Sequence, residues 1–448
     1  MRKITPLLLI ILSLSASNLW AWSNHTLISG PLLQSMPVLQ NAPPATVETI
    51  EDFLIATETE LAVFLETQEQ TMRQQLWSYA PRPDSLKFEA SGDANTIRSR
   101  FTRAIRVNPN MKLPLYLQLL PGDERDAPSI AASDITIFKE DKMLESLPRV
   151  QLQAGDKVSP IDVVISGNDE PDHGLDIGLF TDSNTDYGLE FGFGPQPFGN
   201  PNLEYSSQAP FHMGFYHESS VIYSFGAFLS KTYPEYRIRL FKELSEFAFQ
   251  HGHDYWGWRF MGWGMHYIGD FSNPYHITPV PGNSTLGTVW VGLLNILGFP
   301  QAQLDATQLV SNRHTVIEDF QSLVMTKAFA EHHEDHQLLQ ALKQPESVRQ
   351  YKDSDVVGVF SKKTYDKSSA IDTVLTQAFP TNYINDTTIE YADLKAKNTL
   401  VETVTATSGQ VGLQLLLDTI ADVLNDFAEN GASYVHGIVQ QQEPTTTD

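Results

Sequence analysis

The 448-residue sequence predicts an all-α fold, a helical bundle with long loops and a C-terminal extension, and three observations carry that expectation. From Thr46 to about Tyr79 the apolar positions Val47, Ile50, Phe53, Leu54, Leu61, Phe64 and Leu65 recur at three and four residues, which reads as one or two amphipathic helices. Leu400 to Phe427 repeats that texture at the other end of the chain. Between them strand-like alternation is scarce, and there is no internal repeat.

Taken in order, the chain opens Met-Arg-Lys, runs apolar from Leu7 to Leu14 and continues Ser-Ala-Ser-Asn-Leu-Trp-Ala, the order of a secretory signal peptide cut after Ala21. The apolar run is too short to span a bilayer, so the mature chain is expected to be secreted, extracellular or periplasmic, with no transmembrane segment. After the helical stretch of residues 46–79, a second begins near Ala94. From Asp162 to Pro210 the texture turns to Gly, Asn, Asp and Pro with scattered aromatics, which predicts a long functional loop. Helical patterning resumes at Phe211, breaks at Tyr233-Pro234 and runs to about Asp270. Gly282 to Leu297 is apolar and contains glycine, and Leu304 to Ala330 is helical. Lys343 to Asn398 is mixed and polar, and after the closing helix the tail Gln-Gln-Gln-Glu-Pro-Thr-Thr-Thr-Asp is expected to be disordered.

Thirty Lys and Arg face 54 Asp and Glu, a formal charge of −24. That balance argues against a stable nucleic-acid partner, whose affinity rests on neutralising phosphates with a basic face. There are no cysteines, so an exported chain of this kind must be stabilised by core packing, by metal, or by both.

Chemistry concentrates in Gly264-Met-His-Tyr-Ile-Gly-Asp-Phe-Ser-Asn-Pro-Tyr-His. His266 and Asp270 are four apart and share one helix face; Pro274 stops that helix and His276 returns a third donor. His314 and Glu318 repeat the four-residue spacing on another helix, and two such pairs can face each other across a bundle core. Imidazole nitrogen and carboxylate oxygen are the ligands zinc accepts when cysteine is absent. A cut after Ala21 also leaves Trp22 with a free amine and His25 three residues on, and a terminal amine with its neighbouring carbonyl chelates a metal as a five-membered ring. Of the other histidines, His251 and His253 read as supporting or surface groups. His332, His333 and His336 lie among acids on a solvated face, and His436 is incidental.

His266 through Asp270, Pro274 and His276, the His314/Glu318 pair and an N-terminal Trp together resemble the zinc-dependent phospholipase C superfamily, in its larger secreted Gram-negative group, which is related to the single-strand-specific nucleases. The resemblance covers short ligand motifs over roughly residues 22 to 330. It implies an all-helical cleft holding about three zinc ions, with Trp22, His25, Asp172, His266, Asp270, His276, His314 and Glu318 as ligands. Asp172 of Glu-Pro-Asp matches a Pro-Asp element, with Asp176 and Asp169 as alternatives. The family's central histidine falls on His212 or His217, between which the sequence does not choose.

The resemblance further implies an enzyme, a zinc metallo-phosphodiesterase that degrades lipid at membrane surfaces. It would cleave the glycerol-side phosphodiester of phospholipids such as phosphatidylcholine, giving diacylglycerol and a phosphorylated head group. Asp270 would bridge two metals and Asp172 would serve as ligand and general base. The aromatic loop from Phe191 to Phe215 is a candidate wall for a quaternary ammonium head group, or is simple packing. The domain order expected is a signal peptide (1–21), a catalytic domain (22–342) and a mostly helical C-terminal extension (343–448). The alternatives are a nuclease or phosphatase of the same superfamily and, from another class, a non-catalytic zinc-binding surface protein.

Overall fold

The structure is a computed structural model that describes residues 24–138, 147–196, 207–282 and 301–440. The signal segment with Trp22, residues 283–297 of the apolar segment and the polar tail lie outside the described residues. Helices make the body: α1 (His25–Ser35), α2 (Ile50–Gln75), α3 (Ile97–Ala104), α4 (Pro160–Asp169), α5 (Ala209–His212) and α6 (Ser220–Phe225). They are followed by α7 (Pro234–Gln250), α8 (Asp254–Asp270), α9 (Pro274–Ile277), α10 (Gln301–Ala330), α11 (Lys362–Ala378) and α12 (Leu400–Val439), with loops and shorter helical segments between. Strand is confined to two antiparallel ribbons, β1 (Ala45–Thr46) with β4 (Lys157–Val158) and β2 (Tyr116–Gln118) with β3 (Arg149–Gln151).

The helix expected over residues 46–79 is α2. Thr49 caps it by accepting from the Asp52 backbone N–H at 3.1 Å, and Glu51 and Asp52 place negative charge in its first turn. Its buried stripe includes Ile50, Phe53, Leu54, Leu61 and Leu65.

At the centre lies α8, buried from Tyr255 to Asp270 and apolar on nearly every side, the pattern of a helix surrounded by others. α4, α7 and α12 pack around it, and α1 packs on both α4 and α8. The α4 contact is backbone to backbone. A Cβ on Gly167 would stand 2.6 Å from the Arg259 carbonyl oxygen, and one on Gly262 would stand 2.6 Å from that of Val164.

This contact corrects the expectation of a loop from Asp162 onward, because residues 160–169 are helical and mostly buried. Val163, Val164, Ile165 and Gly167 are weak helix formers, and apolar packing on α8 outweighs their local preference.

Among the described residues the hydrophobic core runs across residue 342. One hydrophobic core includes Leu27 and Phe53 together with Phe360, Leu375 and Val435. α12 packs on α8, and α11 lies against α9. Among the described residues no helix is long and apolar enough to cross a membrane.

Candidate metal centre

Five elements and one short turn bring eight side chains together. The first turn of α1 supplies His25, the turn Glu170–His173 supplies Asp172, and α5 supplies His212. The last turn of α8 gives His266 and Asp270, α9 gives His276, and α10 gives His314 and Glu318. All eight are buried and form three groups that can each hold a metal ion: His25/His266/Asp270, Asp172/His212/His266 and His276/His314/Glu318.

Asp270 joins the groups. One carboxylate oxygen lies 3.4 Å from His25 Nε2 and 3.8 Å from His276 Nδ1, and the other lies 3.1 Å from His212 Nδ1 and 3.7 Å from His266 Nε2. In the third group His314 Nε2 is 2.6 Å from Glu318 Oε1 and 2.9 Å from His276 Nε2. His25 fits against α8 because residue 269 is glycine; a Cβ there would stand 2.8 Å from His25 Nδ1.

The surroundings fix which nitrogens face inward. His266 Nδ1 lies 2.8 Å from the Asn168 carbonyl and His276 Nδ1 lies 2.8 Å from the His212 carbonyl. A carbonyl only accepts, so Nδ1 carries the proton in each ring and Nε2 turns its lone pair to the centre. His212 is reversed. Its Nε2 faces Asp176 at 3.5 Å, which leaves Nδ1 toward Asp270. Asp176 is held in turn by Arg237 at 2.6 Å and by the Tyr267 hydroxyl at 2.5 Å.

Two more buried networks brace the backbone. Arg259 and the Trp263 indole N–H both donate to Glu170, two residues before Asp172, and so pin the Pro-Asp turn to α8. On the opposite side Asn273 caps α9 through its oxygen and donates from its amide nitrogen to Glu318 at 2.7 Å. The Tyr275 ring stacks on His314, while its hydroxyl donates at 2.8 Å to Asp372 of α11; Asp372 also receives Arg313 at 3.1 Å.

Electrostatics divide the centre. Burial acts against charge on His212, yet Asp270, Asp176 and Asp172 overcome it and push the imidazole up to about 10. Burial likewise opposes ionisation of Asp270, and the surrounding His266, His212 and His276 outweigh it to hold the carboxyl well below its usual range. Around the third group burial wins, pushing His314 down to about 3 and Glu318 up to about 7. Burial also raises Asp172 well above the ordinary carboxyl range.

The structure therefore brings together His25, Asp172, His212, His266, Asp270, His276, His314 and Glu318 and leaves out His217. His217 is corrected as a ligand candidate: it is half-buried and its Nε2 meets Ser361 Oγ at 2.9 Å. The side chain at 217 packs instead on Ser361 and the Tyr365 ring. Asp169 and Asp176 support the site instead of joining it; Asp169 accepts the His25 backbone N–H at 3.1 Å. Trp22 lies outside the described residues. His253 pairs with Glu48, and His332 and His333 are exposed. Phe193, Phe211 and Tyr233 pack on one another, so this part of the aromatic loop is interior packing. Asn273, Asp372 and Arg313 were not singled out from the sequence; for Asn273 the Asn-Pro pair before His276 was a capping signal.

The donor set fits metal ions. Both oxygens of Asp270 and both nitrogens of His25 are buried without a hydrogen-bond partner, an arrangement that costs free energy unless a cation satisfies it. All eight donors are imidazole nitrogen or carboxylate oxygen. No family model, no curated protein and no solved structure matches the chain, so its function is argued from this centre.

Proposed function

We propose that the chain is a secreted zinc-dependent phosphodiesterase of the phospholipase C type, cleaving the glycerol-side ester of phospholipids such as phosphatidylcholine. The observation that carries the reading is the gathering of eight buried donors into three adjoining groups, with the Asp270 oxygens, which have no hydrogen-bond partner, 3.1–3.8 Å from His25, His212, His266 and His276. One closed structural zinc site uses four ligands, so this set is larger than a structural role requires.

His25, Asp172, His212, His266, Asp270, His276, His314 and Glu318 would hold the zinc. Bound zinc supplies positive charge that polarises phosphoryl oxygen and makes water more acidic. Asp172 is the ligand nearest solvent, its side chain 8% exposed against 0–3% for the other seven. Ionised beside bound zinc, Asp172 would take the proton of the water that adds to phosphorus. The glycerol oxygen leaves as the P–O bond breaks, and it takes up a proton from solvent. Backbone carbonyls accept from Nδ1–H of His266 and His276, which leaves Nε2 of each ring as the nitrogen turned toward the centre.

The test is hydrolysis of phosphatidylcholine, phosphatidylglycerol, sphingomyelin and single-stranded DNA by the zinc-loaded protein. Phosphocholine release that chelator abolishes and zinc restores supports the reading. Faster cleavage of single-stranded DNA than of any phospholipid overturns it and favours the nuclease alternative.

A further inference from the structure

Immediately after His212 the chain forms a flap, residues 213–230, with an apolar cluster of its own. Phe215, Ile222 and Leu229 are buried together, with Met213, Tyr223 and Phe228 packed against them, separately from the main core. The flap is fastened at its base to the metal centre. Gly214 N–H donates to the His276 carbonyl at 2.7 Å, and Thr278 donates to Glu218 at 2.9 Å.

Its outer side is uncharged. Among the described side chains the exposed ones are Ser220, Val221, Ser224 and Ala227, and Glu218 at the base is the sole Asp, Glu, Lys or Arg of the eighteen. Beside the flap Trp77 is 56% exposed, an unusual exposure for the largest apolar side chain, and Val221 is 48% exposed. The Trp77 ring meets Tyr216 at 6.0 Å and Tyr223 at 5.8 Å between centroids, so indole and flap form one face. Trp77 also borders a cavity of about 430 Å³ lined by Tyr79, Phe193 and Tyr233, with Lys231 as its one charged side chain.

We propose that this face docks on the surface of a zwitterionic phospholipid bilayer and brings the metal centre to it; the inference rests on the phospholipid reading above. A chain of charge −24 is repelled by anionic surfaces and by copies of itself, whereas a neutral patch on it meets a zwitterionic surface without that penalty. Tryptophan and tyrosine, apolar bodies with a polar tip, sit well at the head-group level, and the serine hydroxyls remain hydrated there. A self-interface is the weaker fit, because a stable dimer buries about 1,200–2,000 Å² and this face exposes only a few apolar side chains.

The experiment uses zinc-loaded protein, unilamellar phosphatidylcholine vesicles, and a short-chain phosphatidylcholine kept monomeric. Co-sedimentation and hydrolysis are measured for wild type, Trp77→Ala and Val221→Asp. The expected result is at least tenfold weaker vesicle binding in both variants, with the ratio of vesicle to monomer hydrolysis falling at least tenfold and the unfolding midpoint held. Vesicle binding equal to wild type in both variants overturns the docking face while leaving the phospholipase reading intact. Vesicle binding that depends on Trp77 in a protein that hydrolyses neither substrate retains the docking face and overturns the enzymatic reading. A wild-type dimer that Val221→Asp splits, with vesicle binding unaffected, assigns the face to self-association and overturns the proposal.

Discussion

The two sides of the metal centre are built from different material. The side holding His25, Asp172, His212 and His266 sits in the middle of the bundle, where α1, α4 and α8 touch and buried Arg237–Asp176 and Arg259–Glu170 pairs back His212 and the Asp172 turn. Its electrostatics are anionic enough to keep a proton on His212. The side holding His276, His314 and Glu318 lies between α9 and α10. Its brace, Asp372, comes from α11, beyond the point where the ligand motifs end. There burial dominates, and His314 and Glu318 both favour their neutral forms. The difference teaches that on the first side charged neighbours outweigh burial at His212 and Asp270, whereas on the second the help that Asn273 and His276 give an ionised Glu318 is outweighed by burial, so its charge depends on a cation.

Asp270 spans both sides, so its removal has the largest expected effect. Asp270→Asn is expected to lower metal content on both sides and phosphodiesterase activity by more than about 100-fold, beyond the roughly 10–100-fold typical of supporting residues. Glu318→Gln should release metal from one side alone. Metal analysis and rates that fall equally in the two variants would erase the proposed asymmetry.

pH separates the sides in metal-free protein. Glu318 is raised from 4.5 to about 7, so its contribution to stability is fully present below pH 4.5 and is lost as pH rises through about 7. The loss is about 3 kcal/mol at most. His212 is raised from 6.5 to about 10, so its contribution persists through neutral pH and fades toward pH 10. Metal-free Glu318→Gln is therefore expected to exceed wild type in stability at pH 8 and to match it near pH 4, with the advantage vanishing when zinc is bound. Denaturant unfolding across that range checks it; parallel curves for the two proteins would mean that the second side carries no such burden.

The braces should give the smallest changes. Asp372→Asn keeps an acceptor for the Tyr275 hydroxyl but loses the charge opposite Arg313, and is expected to weaken metal binding at the His276/His314 side about 10–100-fold. Asp176→Asn should do the same at the His212 side. Chelator competition that resolves successive ions distinguishes them, and loss of the same ion in both variants would show the two braces to be coupled.

Much of the site was legible because it is local. His266/Asp270 and His314/Glu318 could be paired from spacing alone, since residues four apart on a helix share a face in any fold. The α2 stripe and the break at Pro234 were legible for the same reason. Residues 160–169 were not, because their helix depends on the contact between Gly167 and Gly262 and the local sequence opposes it.

By itself the sequence determined that this chain is helical and that it carries imidazole and carboxylate pairs at helical spacing, because both properties reside in residues a few positions apart. Only the tertiary structure decided between His212 and His217, placed Asp172 within the cluster with Asp169 and Asp176 behind it, and brought Asp372 against Tyr275. These choices depend on where side chains from separate elements point after packing. Direction across such distances along the chain is fixed by the shared core, not by spacing within any one segment.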